Sequence, residues 1–222
     1  MWCIPKLTDE FKQRMEDVID LYGKPFNAKE PVVCFDEKSK QLLQDSRPTK
    51  GVKPGKSAVR DYEYVRKGTS NIFVAIEPKA GKRFTEVTAR RTKQDYANFL
   101  KKLLAQYPDA KMIHLVQDNL NTHSEKSLVL AFGEKEARCI MKRFTFHYTP
   151  KHASWLNMAE IEIGILSRQC LNRRIPSRKK LANEVAAWEE QSNNAKRTIT
   201  WKFNTEKAQQ TFPTLYKTEL KA

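Results

Sequence analysis

At 222 residues the chain can bury one sizeable core, so a single domain with appendages is expected. Forty-one Lys and Arg against twenty-six Asp and Glu leave a net charge of +15 spread along the chain. That surface suits a polyanion, since each phosphate neutralised releases counterions, although charge alone also fits a merely soluble basic protein.

The four cysteines (Cys3, Cys34, Cys139 and Cys170) are scattered without a CxxC pair, so neither a zinc site nor a disulfide framework is indicated. No apolar run approaches a membrane span and no secretory signal is visible, so a reducing, cytoplasmic setting without a membrane partner is expected.

In chain order, Phe11, Met15, Val18, Ile19 and Tyr22 recur at helical spacing, with Thr8 as cap and Gly23-Lys-Pro25 as stop. Residues 1–30 therefore read as a connector helix packed on a larger body. Pro31-Val-Val-Cys-Phe-Asp36 is an unbroken apolar run of the kind covered on both faces, and Asp36 ends it at the mouth of the sheet. Lys38 to Gln44 fits strand or turn. Arg47 to Lys56 carries two Pro and two Gly among four positive charges, which predicts an extended basic loop or a solvated hairpin tip. Lys50, Lys53, Lys56 and Arg60 are its candidate contacts to DNA. Tyr62–Arg66, Asn71–Ile76 and Arg83–Ala89 read as three strands joined by two hairpin turns, at Lys67-Gly68 and Lys79-Ala-Gly81.

Thr92-Lys-Gln-Asp95 opens like a capping box, and Tyr96, Phe99, Leu100, Leu103, Leu104 and Tyr107 mark an amphipathic helix stopped by Pro108. Lys111–Asp118 is a second buried-type strand ending in a carboxylate, with Asn119, Asn121 and His123 crowding the loop behind it. Helices over about 124–132 and 134–141 lead to a strand at Arg143–Tyr148. Ser154 can then cap a helix carrying Asn157 and Glu160 on one face, with Gly164 one turn on. A carboxylate there is explained either by the helix dipole or by chemistry. A last long helix covers about 177–196, with Leu181, Val185, Ala186 and Trp188 inward.

This order of elements gives an α/β mixed sheet with crossovers, whose site lies beyond the carboxyl ends of the central strands. Asp36 and Asp118 converge there, and Glu160 arrives from a helix on the same sheet. Three such carboxylates repel one another unless a cation sits between them, and all-oxygen ligands suit Mg²⁺ or Mn²⁺. Two such ions can activate one oxygen and stabilise another in phosphoryl transfer. With a basic surface, the coherent chemistry is cutting or joining nucleic acid strands.

Val33-Cys-Phe-Asp-Glu-Lys38, Gln117-Asp-Asn-Leu-Asn-Thr-His123 and Tyr148-Thr-Pro150 with Trp155-Leu-Asn-Met-Ala-Glu160 resemble the three acidic blocks of DDE transposases. The likeness is to the mariner superfamily in its bacterial insertion-sequence branch, and it covers about residues 2–218. It implies an RNase H-like fold, a mixed five-stranded sheet flanked by helices, over residues 31–222. It implies Asp36, Asp118 and Glu160 as metal-binding catalytic residues for Mg²⁺ or Mn²⁺, with two ions. The implied activity is hydrolysis at transposon ends followed by attack of the freed 3′-hydroxyl on target DNA, near the nucleoid. In that family the loop after the first strand clamps a partner subunit, which fits 47–60 and a homodimer on DNA.

Relatives carry an N-terminal helix-turn-helix region, and this chain begins where its linker would be. The chain therefore reads as a catalytic domain. A non-catalytic DNA-binding or dimerising fragment that regulates a full-length transposase is an alternative, as is a cellular RNase H-like nuclease.

Near the site, Asn119 and His123 read as positioning a ligand or water or as ordinary loop residues, with Asn157 beside them. Lys151 and His152 can touch phosphates, and Trp155 either stacks on a base or packs in the core. Arg168, Arg173, Arg174 and Arg178 form a candidate backbone-binding stripe. Glu37 reads as a supporting or surface residue. Glu162 is two residues from Glu160, about 200° round the helix, so one of the two faces the site and the family likeness selects Glu160.

Overall fold

The computed structural model describes residues 7–48, 50–59 and 61–216. Its elements run α1 (Asp9–Gly23), β1 (Val32–Asp45), β2 (Tyr64–Glu77), β3 (Lys82–Thr88), α2 (Lys93–Ala105), β4 (Ile113–Gln117), α3 (Glu125–Met141) and β5 (Phe144–Tyr148). They continue as α4 (Met158–Leu166), α5 (Arg178–Asn194), α6 (Thr205–Thr211) and α7 (Pro213–Tyr216). The strands form one sheet in the order β3-β2-β1-β4-β5. β1, β2 and β3 pair antiparallel, while β4 and β5 lie parallel to β1. Parallel neighbours need crossovers, and α2 and α3 supply both.

The helices cover both faces of the sheet. Val33, Phe35, Phe73, Phe99, Leu100 and Leu115 form the core under α2 and α3. On the other face Cys34, Ile76 and Val116 meet α1 and the start of α4, while Ile72 and Val74 meet α4 and α5. Each large apolar side chain so buried contributes about 1.5–3 kcal/mol, against about 0–1 for exposed ion pairs such as Lys101–Glu136. The apolar core therefore decides the architecture. Thr8 caps α1, and Thr92 with Asp95 forms the expected capping box of α2. α3 is the expected pair of helical pieces, meeting at a non-helical Gly133. Ala186, expected inward on α5, is exposed.

Two expectations fail in the same region. β1 does not end at Asp36: its pairing with β4 stops at Cys34↔Val116, but β2 supplies ladder partners as far as Asp45↔Tyr64. Asp36 thus lies where β1 outruns β4, and Lys38–Gln44 is strand. Likewise, Lys67-Gly68 is not a hairpin turn. Tyr64–Glu77 is one strand, and a bulge against Gln41–Leu43 absorbs Gly68, whose φ of 88° suits glycine. Beyond Ser46, the bridges Lys50↔Val59 and Lys53↔Lys56 close a hairpin at the end of this β1–β2 arm.

The remaining tight turn, at Pro78–Gly81, is locked by its surroundings. Gly81 has φ 64°, and a Cβ there would stand 2.7 Å from the backbone carbon of Lys196. Beside it, the buried Arg83 donates to both carboxylate oxygens of Glu162 on α4, at 2.7 and 3.1 Å, and to the carbonyls of Gly81 and Arg197, each at 2.8 Å.

Cys34 and Cys170 are buried and Cys139 exposed, all three unpaired; Cys3 lies outside the described residues. Among the described residues no helix is long and apolar enough to cross a membrane.

Because Arg83 is the ion-pair partner that compensates the buried Glu162 among the described residues, Arg83→Met is expected to destabilise the fold by about 3–5 kcal/mol. A urea titration followed by circular dichroism measures it.

Candidate active site

Strand alternation sorts the side chains of β1. Phe35 and Glu37 point toward α2 and α3, while Cys34 and Asp36 point toward the face that carries α1 and α4. Extending the β1–β4 register two residues past Cys34↔Val116 sets Asp36 opposite Asp118. Asp118 is the first residue after β4 and is partly exposed.

Glu160 comes from α4, and its approach is set by Asn157. Ser154 does not cap this helix: Ser154–Leu156 form one separate 3₁₀ turn, and Asn157 takes the cap. Its Oδ1 accepts the Ala159 N–H at 3.1 Å, and its Nδ2 donates to the Phe35 carbonyl at 2.8 Å. The helix is thereby fastened to the backbone beside Asp36, with Glu160 exposed in the first turn and Glu162 turned away to Arg83. Gly164 does not owe its missing side chain to crowding, since a Cβ there would meet only the Arg168 guanidinium, at 3.6 Å.

The electrostatics of this edge are those of crowded acids. Burial pushes the Asp36 carboxyl up to about 7 from 3.8; the Glu37 N–H, 2.8 Å from its Oδ1, opposes this, and the charges of Glu160, Glu37 and Asp118 add to it. His123 is the counterweight. Its Nδ1 lies 2.6 Å from Asp118 Oδ1 and its Nε2 3.2 Å from Glu37 Oε2, a close ion pair without hydrogen-bond alignment. Burial pulls its pKa down, but the contacts with Asp118 and Glu37 outweigh it and raise it to about 9. Among the described residues, no three His, Cys, Asp or Glu side chains are assembled into a ready-made metal cage.

The other residues singled out divide clearly. Asn119 is exposed on the loop, whereas His123 and Asn157 are buried and bonded. Lys50, Lys53 and Lys56 are exposed on the arm, and Arg60 lies outside the described residues. Lys151 and His152 are exposed on the turn leading to α4. Arg168 and Arg178 are exposed, but Arg173 and Arg174 have internal partners. Arg173 pairs with Glu184 and donates to the Cys170 carbonyl, while Arg174 binds Asp45 and the carbonyls of Tyr62 and Glu63. Trp155 is exposed, edge-on to Phe203 at 5.0 Å and near Phe212. Glu37, read from sequence as either a supporting or a surface residue, is not at the surface: its side chain is only 3 % exposed. Its place one residue after a site carboxylate on a strand was the available signal.

The family described as DDE superfamily endonuclease matches residues 31–182. The chain belongs to this family. Among solved structures, this DDE endonuclease chain is similar to the Mos1 mariner paired end complex with Mn, at 13% identity and a TM-score of 0.51, over 90% of this chain and 67% of that one. It is also similar to the Mos1 Strand Transfer Complex, at 12% identity and a TM-score of 0.56, over 90% and 65%. The chain thus spans about two thirds of the Mos1 chains it matches. At such identities the likeness is one of fold: a mixed five-stranded sheet flanked by helices, RNase H-like. No curated protein matches.

Asp36 also makes the folded state pH-sensitive. Between about 3.8 and 7 the unfolded chain is ionised at this position while the folded protein keeps its proton, so stability falls as pH rises through that window. In EDTA, Asp36→Asn is expected to raise the melting temperature at pH 8, with the gain shrinking toward pH 5. Thermal scans across that range check the sign.

Proposed function

We propose that this chain is the catalytic domain of a DDE transposase of the mariner superfamily, in its bacterial insertion-sequence branch. It cuts DNA strands at the ends of a mobile element and joins the freed 3′ ends to target DNA. Asp36, Asp118 and Glu160 are the catalytic, metal-holding residues. The observation that carries this reading is the electrostatic one: the half-buried Asp36 carboxyl feels both Asp118 and Glu160, acids from three separate elements brought to one rim. Membership of the DDE endonuclease family over 31–182 agrees with it.

The donor set fits a hard divalent cation. It offers only carboxylate oxygens at the rim, and Mg²⁺ binds through one or two carboxylates, several waters and substrate phosphates rather than a complete protein cage. In this role the chain takes two ions, Mg²⁺ or Mn²⁺; that the Mos1 structure of similar fold is a complex with Mn supports the choice of a divalent ion. Bound there, such ions supply activation of the attacking oxygen and stabilisation of the leaving one. The chain's own part is to hold the carboxylates and grip the phosphodiester backbone. The exposed Lys151 and His152, on the turn before α4, and the exposed Arg168 and Arg178 are assigned to that grip.

Residues 31–222 form the catalytic domain in this reading, and 1–30 a connector whose helix α1 packs on the sheet through Met15, Val18 and Tyr22. Lys50, Lys53 and Lys56 on the arm reach DNA, and the arm's exposed Val52, Val59 and Tyr62 suit a partner subunit in a homodimer on DNA. The work is done on chromosomal DNA in the cytoplasm, at the nucleoid.

Purified chain with Mn²⁺ or Mg²⁺ is expected to nick supercoiled DNA, and Asp118→Asn to abolish nicking while circular dichroism shows the fold intact. Nicking that survives this substitution would remove the chemistry assigned here. DNA binding is expected to weaken steeply with salt, so a flat NaCl titration of the binding constant would contradict the proposed phosphate grip.

A further inference from the structure

We propose that Glu37 and His123 form a buttress on the α2/α3 face of β1 that fixes the carboxylate of Asp118, which makes both of them positioning residues for divalent-ion capture. The inference rests on the reading of Asp36, Asp118 and Glu160 as the metal-holding set. Asp118 follows the last residue of β4, so no strand ladder holds it, and its neighbours Asn119 and Leu120 are exposed. Apart from His123, its carboxylate has one long hydrogen bond among the described residues, from the Leu120 N–H at 3.4 Å. His123 supplies the short one, 2.6 Å from Nδ1 to Asp118 Oδ1.

The imidazole is itself held on every side. Its ring stacks on Tyr96 at 4.7 Å and meets Phe35 edge-on at 5.2 Å, so it cannot swing without opening the core. Nε2 faces Glu37, whose other oxygen takes the Arg91 guanidinium at 3.2 Å. Tyr96 reinforces the same spot through a 2.8 Å hydrogen bond to Gln117, the residue before Asp118. Strand alternation explains the division of labour: Asp36 faces the rim and Glu37, its neighbour, faces the support. Partners that orient a metal-binding carboxylate typically change metal affinity by about 10–100-fold when removed.

The test uses the full chain and Mn²⁺ alone, titrated without DNA while the signal of free Mn²⁺ is followed by electron paramagnetic resonance. Wild type should take up Mn²⁺, and Asp118→Asn should lose that uptake. Failure of either control would overturn the metal-holding set itself, and the buttress with it. Given both, Glu37→Ala and His123→Ala should each weaken Mn²⁺ binding by about tenfold or more. The double variant should be no worse than the weaker single, because the two residues act as one unit. Glu37→Gln removes the charge but keeps the side-chain shape and an oxygen packed beside His123 Nε2, and should recover most of the affinity. A folded Glu37→Ala with wild-type Mn²⁺ affinity would overturn the proposal. So would a Glu37→Gln as weak as Glu37→Ala, since the effect would then be the field of a nearby charge rather than positioning. Should His123→Ala fail to fold, this comparison at Glu37 decides alone.

Discussion

One buried amide governs the geometry of the rim. Asn157 donates from Nδ2 to the Phe35 carbonyl and accepts the Ala159 N–H at Oδ1, so it joins the start of α4 to the first half of β1 across 122 residues of sequence. A buried polar group left without its partner costs about 1–3 kcal/mol, so this junction is held by penalty as much as by attraction. Apolar contact alone would not set it as tightly, because Met158 and Ala159 could slide along Cys34 and Val116 with little loss. The second fastening of α4 is Glu162 to Arg83, on the side facing away from the rim. Between these two polar ties the rotation of the helix is fixed, and Glu160 is left facing solvent near Asp36.

That arrangement runs against stability in the absence of a cation. Burial and three neighbouring acids all disfavour the charged form of Asp36. Elsewhere the fold meets such a problem with an adjacent base, as Glu162 is met by Arg83 and Glu37 by Arg91 and His123. At the rim no Lys or Arg pairs with Asp36 or Glu160 among the described ion pairs, although the chain carries a +15 excess. Leaving two acids without such a partner where cations are plentiful is the kind of local cost that functional sites retain.

Much of this was legible in the sequence because it rests on local pattern. The apolar run at 31–35, the capping box at Thr92 and the helical spacing from Tyr96 to Tyr107 predict their elements directly, and the three acidic blocks mark the rim residues. The misreadings share one cause. Where β1 ends, whether Lys67-Gly68 turns, and which residue caps α4 depend on partners far along the chain. β2 prolongs β1 to Asp45, the Gln41–Leu43 bulge absorbs Gly68, and Phe35 claims Asn157. Glu37 illustrates the same limit for function: in the sequence it is one more acid beside an acid, and only the packing of Phe35, Tyr96 and His123 shows that it is buried.

Charge is where sequence reasoning misleads most, because a count of arginines does not record what they already hold. A two-stranded ribbon is marginal by itself, and the β1–β2 arm extends beyond the sheet, so its root needs fastening. Arg174 does this from the segment after α4, through Asp45, the carbonyls of Tyr62 and Glu63, and the face of Tyr64 at 5.3 Å. Leu43 N–H adds a bond to the Ile175 carbonyl, and Lys40 donates to the carbonyls of Leu171 and Arg173. These contacts converge on residues 171–175, which follow directly from α4 through a single π-helical turn. The arm and the helix bearing Glu160 therefore share one support, and part of the apparent DNA-binding stripe is the joint between them.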